Sequence, residues 1–363
     1  MLFIGTFSGT VTLSQVFADI VGVMTGGITT SGGLSASFAS GLFYSSAYPP
    51  GWTNYDAAAG SLANGVTPCV LRAAEAAGAL YKNLYFHAPE SNKLGFSGYG
   101  TWNSTTHTGT NAMHALGASD DAVWGKIKLD SATYAGGKLL ISASARHLYI
   151  QAYTSANAAG GCFYCSEYSR DDAWNTVANG YPSWFIGGVS ATSTTNLYDR
   201  AGGVMCRGFN GYSLTDFSAG AFCLTNGSAG LCLVPDGAQA SFGNSYQASS
   251  NAYQAQGICL GAHSTNYLAL SPAYLAGNAT RGSTRLFWRI ALRQVNIITN
   301  YDVPSTYAVL LGGNLTDVNH SMYYTQAGAG NPFDTCTIGS QTFVIATPVG
   351  ADSTRAHLAL LRG

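Results

Sequence analysis

The stretch KLLISASARHLYIQAYTSANAAGGCFYCSEY, Lys138–Tyr168, decides how the chain folds. Three runs within it, KLLISAS, HLYIQAYT and GCFYCSEY, are short, partly aromatic or β-branched, and bounded by Gly, Asn or Ser. Such runs read as strands joined by turns. Outward from this point the texture repeats. TPCVLRAA, YKNLYFHA and KLGFSGYGTW lie before it; WFIGG, GVMCRGF, AFCLTN and GLCLVP lie after it. RGSTRLFWRIALRQVNIIT is the longest strong segment and also reads as strand, although its middle carries some helical character. YAVLLGG, TFVIATPVG and AHLALLRG close the series. Strands at this spacing belong to sandwiches or barrels. The expected fold class is mainly β: antiparallel β-sandwich or jelly-roll-like regions with a short N-terminal helix. No repeat of fixed period is evident, which disfavours a propeller, a solenoid or a regular β-helix shaft.

The helix is read from TLSQVFADIVGVMTGG. Leu13, Val16, Phe17, Ile20, Val21 and Met24 recur at the helical period and form one apolar stripe. Thr12 is placed to cap it, with Gln15 at the capping-box position. Gly26 and Gly27 stop it. A short helix with one such stripe must dock on something, either its own domain or a neighbouring subunit. Residues 28–65, rich in Gly, Ser, Ala, Asn and Pro, read as irregular chain with short extended pieces. The expected organisation is an N-terminal helix and extended docking segment over 1–60, a β-rich domain over 61–200, and a C-terminal β-rich domain over 201–363.

Composition bounds the function. The 363 residues suffice for large cores without metals or disulfides. Charged residues make up 9%, against roughly 25% in an average soluble domain. Aromatic residues reach 12%, with 22 Tyr, and the formal net charge is −1. A surface so poor in charge suits a protein that lies packed against copies of itself or other proteins, where each buried charge would need a partner. Sixteen basic residues, scattered and balanced by seventeen acidic ones, give no footprint for nucleic acid. No apolar stretch is long enough to cross a bilayer as a helix. The opening MLFIGTFSGTV lacks the basic start and cleavage site of a secretory signal and reads as the start of a mature chain.

The eight cysteines are Cys69, Cys162, Cys165, Cys206, Cys223, Cys232, Cys259 and Cys336. Most sit in apolar or small surroundings, as free cysteines used as small hydrophobes do. Only Cys162 and Cys165 are closely spaced. If Gly161–Tyr168 is a strand, Cys162, Tyr164, Ser166 and Tyr168 share one face, and Phe163, Cys165 and Glu167 the other. Thiols on opposite faces share neither a zinc ion nor a disulfide, and no second CxxC supplies the other half of a zinc site.

Other candidate chemistry is weighed against plainer uses. Glu167, Arg170, Asp171 and Asp172 bring carboxylates close in sequence, and glycoside hydrolysis needs two at roughly 5 to 9 Å across a cleft. The plainer use is an Arg–carboxylate pair and a capped turn. Asp120 and Asp121 read as another capping turn. Among seven histidines, His107 and His114 stand close together, but no HExxH or third ligand accompanies them. Neither a GxSxG elbow nor a phosphate loop is present. The pattern therefore implies no catalytic residue, no metal and no cofactor. The Tyr and Trp content suits either a sugar or a protein neighbour. Trp102, Tyr181 and Trp184 lie beside turn signals and are expected to be exposed.

GYGTWNSTTHTGTN (Gly98–Asn111), SARHLYIQAY with CSEYSRDDAWNTVANGYPSW, and the closing YAVLLGGN and TIGSQTFVIATPVGADSTRAHLALLRG together resemble virion structural proteins of tailed bacteriophages. Those proteins belong to the tail, baseplate or tail-fibre region. The resemblance covers about residues 5–25 and 60–363 and rests on structural phrases, not catalytic motifs. It implies a non-enzymatic part of an assembled virion, present in symmetric copies, made and assembled in the host cytoplasm. Its partners would be copies of itself and other virion proteins, with host-surface glycan as the alternative, and neither nucleic acid nor membrane insertion. The expected interface residues are Leu13, Val16, Phe17 and Ile20 on the helix, with Trp102, Trp174 and Trp184. A polysaccharide depolymerase using Glu167 with Asp171 or Asp172 is the remaining alternative.

Overall fold

The computed structural model describes residues 1–7, 11–26, 38–44, 50–74, 81–91, 93–113, 125–128, 136–157, 159–170, 183–189 and 332–346. It also describes strand segments at 205–206, 229–235, 240–241, 258–259, 269–270, 287–288, 290–296, 302–310, 322–325 and 357–361. The first half runs β1 (Leu2–Phe7), α1 (Leu13–Met24), β2 (Phe38–Tyr44), β3 (Thr53–Asp56), β4 (Cys69–Ala74), β5 (Tyr81–Glu90) and β6 (Lys93–Asn103). Then follow β7 (Thr108–Met113), β8 (Gly125–Lys128), β9 (Lys138–Ala143), β10 (His147–Tyr153), β11 (Ala159–Arg170) and β12 (Ser183–Val189).

The three runs that opened the sequence reading are β9, β10 and β11, consecutive antiparallel neighbours in the largest sheet. Tyr149 of β10 lies between Ser142 of β9 and Tyr164 of β11. Beyond β9 the sheet continues through β1 to β2. On the other side β11 pairs with both β12 and Asp302–Leu310, which leads to Ile290–Asn296, Ala229–Pro235 and Ile258–Cys259. The boundaries expected at residues 60 and 200 are therefore bridged by one sheet: β1 joins β9, and β11 joins Asp302–Leu310. The described residues of RGSTRLFWRIALRQVNIIT form strand, divided between sheets. Phe287–Trp288 pairs with Met322–Thr325 in a separate five-stranded sheet, whereas Ile290–Asn296 joins the largest one.

A second sheet has the order β3-β4-β5-β6-β7. The eleven-residue β6 serves two neighbours on one flank, β8 along Lys93–Phe96 and β7 along Gly98–Asn103. The two sheets face one another as a sandwich. The inner face of the second supplies Leu71, Leu84, Phe86, Leu94 and Phe96; the first supplies Phe3, Ile141, Leu148, Ile150 and Phe163. Helix α1 closes the same core. Four phenylalanine rings make a continuous stack across these layers: Phe17 on Phe86 at 4.1 Å, Phe86 on Phe96 at 4.3 Å, and Phe96 on Phe163 at 4.0 Å.

Helix α1 forms as its sequence demands. The Thr12 hydroxyl accepts from the Gln15 backbone N–H at 3.3 Å, and the Thr12 N–H donates to Gln15 Oε1 at 2.9 Å. That reciprocal pair satisfies two amide donors that the first turn would otherwise leave open. At the other end the Thr25 N–H bonds to the Val21 carbonyl, and Gly26 takes the left-handed φ of 72°. The docking partner of the stripe is the chain itself: Leu13, Val16, Phe17 and Ile20 are all buried in the sandwich core. Burying such a side chain contributes about 1.5–3 kcal/mol. These residues, expected as interface, are thus taken up by the intramolecular core and are not a free docking stripe.

The central strands of the largest sheet are buried on both faces. Every residue of β10 is buried, including Tyr149, Gln151 and Tyr153 on the face away from the sandwich core. The Phe333 ring packs edge-on to Tyr153 at 4.8 Å, and the Lys138 ammonium sits 5.2 Å from the Phe333 centroid. Buried polar groups on this face need partners. His147, the first residue of β10, has a serine hydroxyl at each ring nitrogen, Ser142 at Nε2 and Ser144 at Nδ1, both 3.0 Å away. The Trp52 indole N–H donates to the Ser144 carbonyl at 2.8 Å and ties the approach to β3 onto the β9–β10 turn. Gly51 precedes it at φ 75°; a Cβ there would lie 2.8 Å from the Ala145 Cβ, so glycine is required twice over.

Among the described residues, no helix is long and apolar enough to cross a membrane.

Candidate functional site

The outer face of the second sheet gathers what chemistry the described residues offer. Register sets it up: Thr53 lies opposite Arg72, Arg72 opposite Asn83, and Asn83 opposite Tyr99. Strand alternation puts this row on the opposite face from Leu71, Leu84 and Phe86. The row is knit by hydrogen bonds. Arg72 Nε donates to Asn83 Oδ1 at 2.8 Å, and its Nη2 reaches the Trp102 carbonyl at 3.4 Å. Asn83 Nδ2 has the carbonyls of Tyr81, Tyr99 and Gly100 at 3.3 Å each.

Two aromatic rings flank the guanidinium. Arg72 Cζ lies 3.1 Å from the Tyr55 ring centroid and 4.9 Å from that of Tyr81. Both rings face solvent, Tyr55 at 38% and Tyr81 at 46% exposure. A β-bulge places Tyr55: Asn54 pairs with Leu71 and Asp56 with Val70, leaving Tyr55 as the extra residue. Bulges re-aim side chains in this way. A hydrogen bond from the Ser104 side chain and the Arg72 guanidinium hold the Tyr55 phenol below its ordinary pKa.

Beside this row lies a buried carboxylate. Asp56 is 5% exposed. Its Oδ2 accepts the Trp102 indole N–H at 2.8 Å, its Oδ1 accepts the Ala58 N–H at 3.2 Å, and His107 Nδ1 lies 2.9 and 3.1 Å from the two oxygens. Burial by itself would raise the Asp56 pKa; the bonds from Trp102, His107 and Ala58 and the His107 charge outweigh it and hold the carboxyl below its usual value. An ionised carboxylate only accepts, so His107 Nδ1 carries the proton of that bond. His107 stands at φ 53° in the β6–β7 turn, which Asn103 Oδ1 organises by accepting the N–H groups of Thr105 and Thr106.

Aromatic packing fixes the rest. Trp102 stacks on Tyr85 at 5.7 Å and meets Tyr99 edge-on at 5.1 Å. These rings lie over Gly109, whose hypothetical Cβ would come within 2.2 Å of Tyr99 and 2.8 Å of Trp102. Burial raises the pKa of both Tyr85 and Tyr99, and it pushes the Cys69 thiol up to about 12. Neither the phenols nor that thiol is set up as a nucleophile.

Sequence-expected residues are distributed as follows. Trp102 is buried at 8% exposure, which corrects the expectation that it is an exposed ring; its N–H is engaged by Asp56. Trp184 lies in β12 opposite Glu167 of β11. Trp174, Tyr181, Asp171, Asp172, Asp120, Asp121 and His114 lie outside the described residues. Arg170 ends β11 opposite Ala308. β11 runs unbroken through GCFYCSEY, and Cys165 within it is buried. Among the described residues no three His, Cys, Asp or Glu side chains gather as a metal site. The Asp56–His107 pair and the Tyr55–Arg72–Tyr81 stack escaped the sequence reading because the partners come from different elements: Asp56 and Tyr55 from β3, Arg72 from β4, Tyr81 from β5 and His107 from the β6–β7 turn.

Chemically, the arrangement presents an exposed aromatic and cationic surface on a rigid base. Comparison with protein-family models, with curated proteins and with solved structures returned no match.

Proposed function

We propose that this chain is a non-enzymatic structural component of a tailed-bacteriophage virion, in the tail, baseplate or tail-fibre region, acting through repeated protein–protein contacts. The observation that carries the reading is a charge content of 9% on an antiparallel sandwich whose own helix is already spent in its core. A stripe buried internally explains none of the deficit in surface charge. Contact with neighbouring subunits does, because apolar and neutral polar surfaces lose little on desolvation whereas unpaired charges lose much. The resemblance of its sequence phrases to those of tail-region virion proteins points the same way. Closed rings of identical subunits follow from rotational symmetry once one such contact repeats.

Sedimentation of the purified chain and immunogold labelling of purified particles test this directly. Oligomers in solution and label on the tail region are expected. A monomer that persists at high concentration, absent from finished particles, sinks the proposal. For the depolymerase alternative, purified protein is expected to leave capsule polysaccharide intact; clearing that Glu167→Gln abolishes would replace the structural role with an enzymatic one.

A further inference from the structure

We infer that the Tyr55–Arg72–Tyr81 patch is a binding site for a carboxylate-bearing saccharide, such as a uronic or sialic acid residue of a surface glycan. Three observations converge on that ligand. Tyr55 and Tyr81 are the two exposed aromatic side chains among the described residues whose rings flank a single cation. Sugar C–H faces pack on such rings, while the ring edges leave the sugar hydroxyls free to hydrogen-bond. Arg72 meets no carboxylate among the described residues; its side-chain partners are the neutral Asn83, the Trp102 carbonyl and the two tyrosines. In a chain so short of charge, a half-buried guanidinium with no counter-ion among the described residues is complementary to an incoming carboxylate. Thr101 and Thr110, exposed and hydrogen-bonded to one another across β6 and β7, extend the same face with hydroxyls.

The support beneath the patch is rigid, as a binding site requires. Asn83 is 1% exposed and holds the guanidinium from below. Asp56, Trp102 and His107 lock the adjoining turn. Arg72 and Tyr81 stand on β4 and β5, which have neighbours on both sides, so a ligand meets them through side chains on the sheet face; Tyr55 stands on β3, the terminal strand of this sheet among the described residues. Two exposed rings beside one cation favour a saccharide, and strand addition at β3 by an acidic protein segment is the outcome that the sugar titrations would exclude. The inference does not rest on the virion role: glycan binding can fail while assembly persists, and assembly can fail while glycan binding persists.

The test is titration of the full chain with oligogalacturonate and with sialyllactose, each beside a neutral counterpart (the methyl-esterified oligomer and lactose), by calorimetry and saturation-transfer NMR. At least one acidic sugar is expected to bind, its neutral counterpart about tenfold more weakly, and added salt to weaken the acidic sugar alone. Arg72→Gln is expected to lower affinity about tenfold. Because that change also removes a partner of buried Asn83, Tyr81→Ala serves as the second variant. It deletes an exposed ring, is expected to weaken binding several-fold, and should leave the thermal melt in place. Failure of both acidic sugars, equal binding of acidic and neutral forms, or undiminished binding by Tyr81→Ala overturns the inference. Loss of self-association in Arg72→Gln without sugar binding does so too, and assigns the patch to a protein neighbour.

Discussion

On one face of the second sheet, Leu71, Leu84, Phe86 and Phe96 meet the largest sheet and helix α1 in an apolar core. On the other, the same three strands carry Arg72, Asn83, Tyr85 and Tyr99, joined by hydrogen bonds and ring contacts to Asp56 and Trp102. The inner face is held by area removed from water, which is insensitive to direction. The outer face is held by directed bonds whose partners must be present one for one. The two faces should therefore fail differently. Inner substitutions cost in proportion to volume, and outer ones according to which polar group is left alone.

The largest effect is expected from Phe86→Ala, which removes the ring stacked between Phe17 and Phe96. Denaturant unfolding should show a loss of about 3–5 kcal/mol. A much smaller loss would mean that the two sheets and the helix do not share one core. Next comes Gly109→Ala on the outer side. Its methyl would collide with the Tyr99 and Trp102 rings, and a cost of about 1–3 kcal/mol is expected from the forced repacking. A neutral result would show that the aromatic cluster yields.

Asp56→Asn should cost less, about 1–2 kcal/mol, since the amide oxygen still accepts from Trp102 while the charge-assisted bond to His107 is lost. Its sharper signature is in pH. The Asp56 carboxyl is held below its ordinary value in the folded chain, so its stabilisation is complete above the unfolded value of about 3.9 and declines as pH falls through the folded one. Melting curves taken downward from neutral pH should show this acid-side slope in the parent and a shallower one in Asp56→Asn. Parallel curves would remove the buried carboxylate from the account. The smallest effect is expected for Tyr81→Ala, within about 0.5 kcal/mol, because the ring is exposed and makes no side-chain hydrogen bond to the base. A large loss would show that the patch is structural.

Particular elements show how far local patterning reaches. Helix α1 was readable to its caps, because Thr12, Gln15 and the apolar stripe act within a few residues of one another. The strands of Lys138–Tyr168 were readable for the same reason. The exposure of Trp102 was not. A tryptophan beside a turn is as well suited to solvent as to burial, and the deciding partner, Asp56, is 46 positions away in sequence. Nor was the burial of Gln151 and His147 visible in HLYIQAY, since alternation tells which residues share a face but not whether a further layer covers it. The bulge at Tyr55 has no signature in WTNYD, as it depends on the register that β4 imposes.

By itself the amino-acid order determined a mainly antiparallel β-chain with one amphipathic helix, since both follow from periodicities of two and about 3.6 residues. It also determined a charge content of 9%, with sixteen basic residues balanced by seventeen acidic ones. Only the tertiary structure decided that the helix is consumed internally, that Trp102 is a buried donor to Asp56, and that Arg72 stands between two exposed tyrosines. Each of those outcomes depends on residues from separate strands meeting across a sheet or a core, and strand register, which brings them together, is set by packing over the whole sandwich.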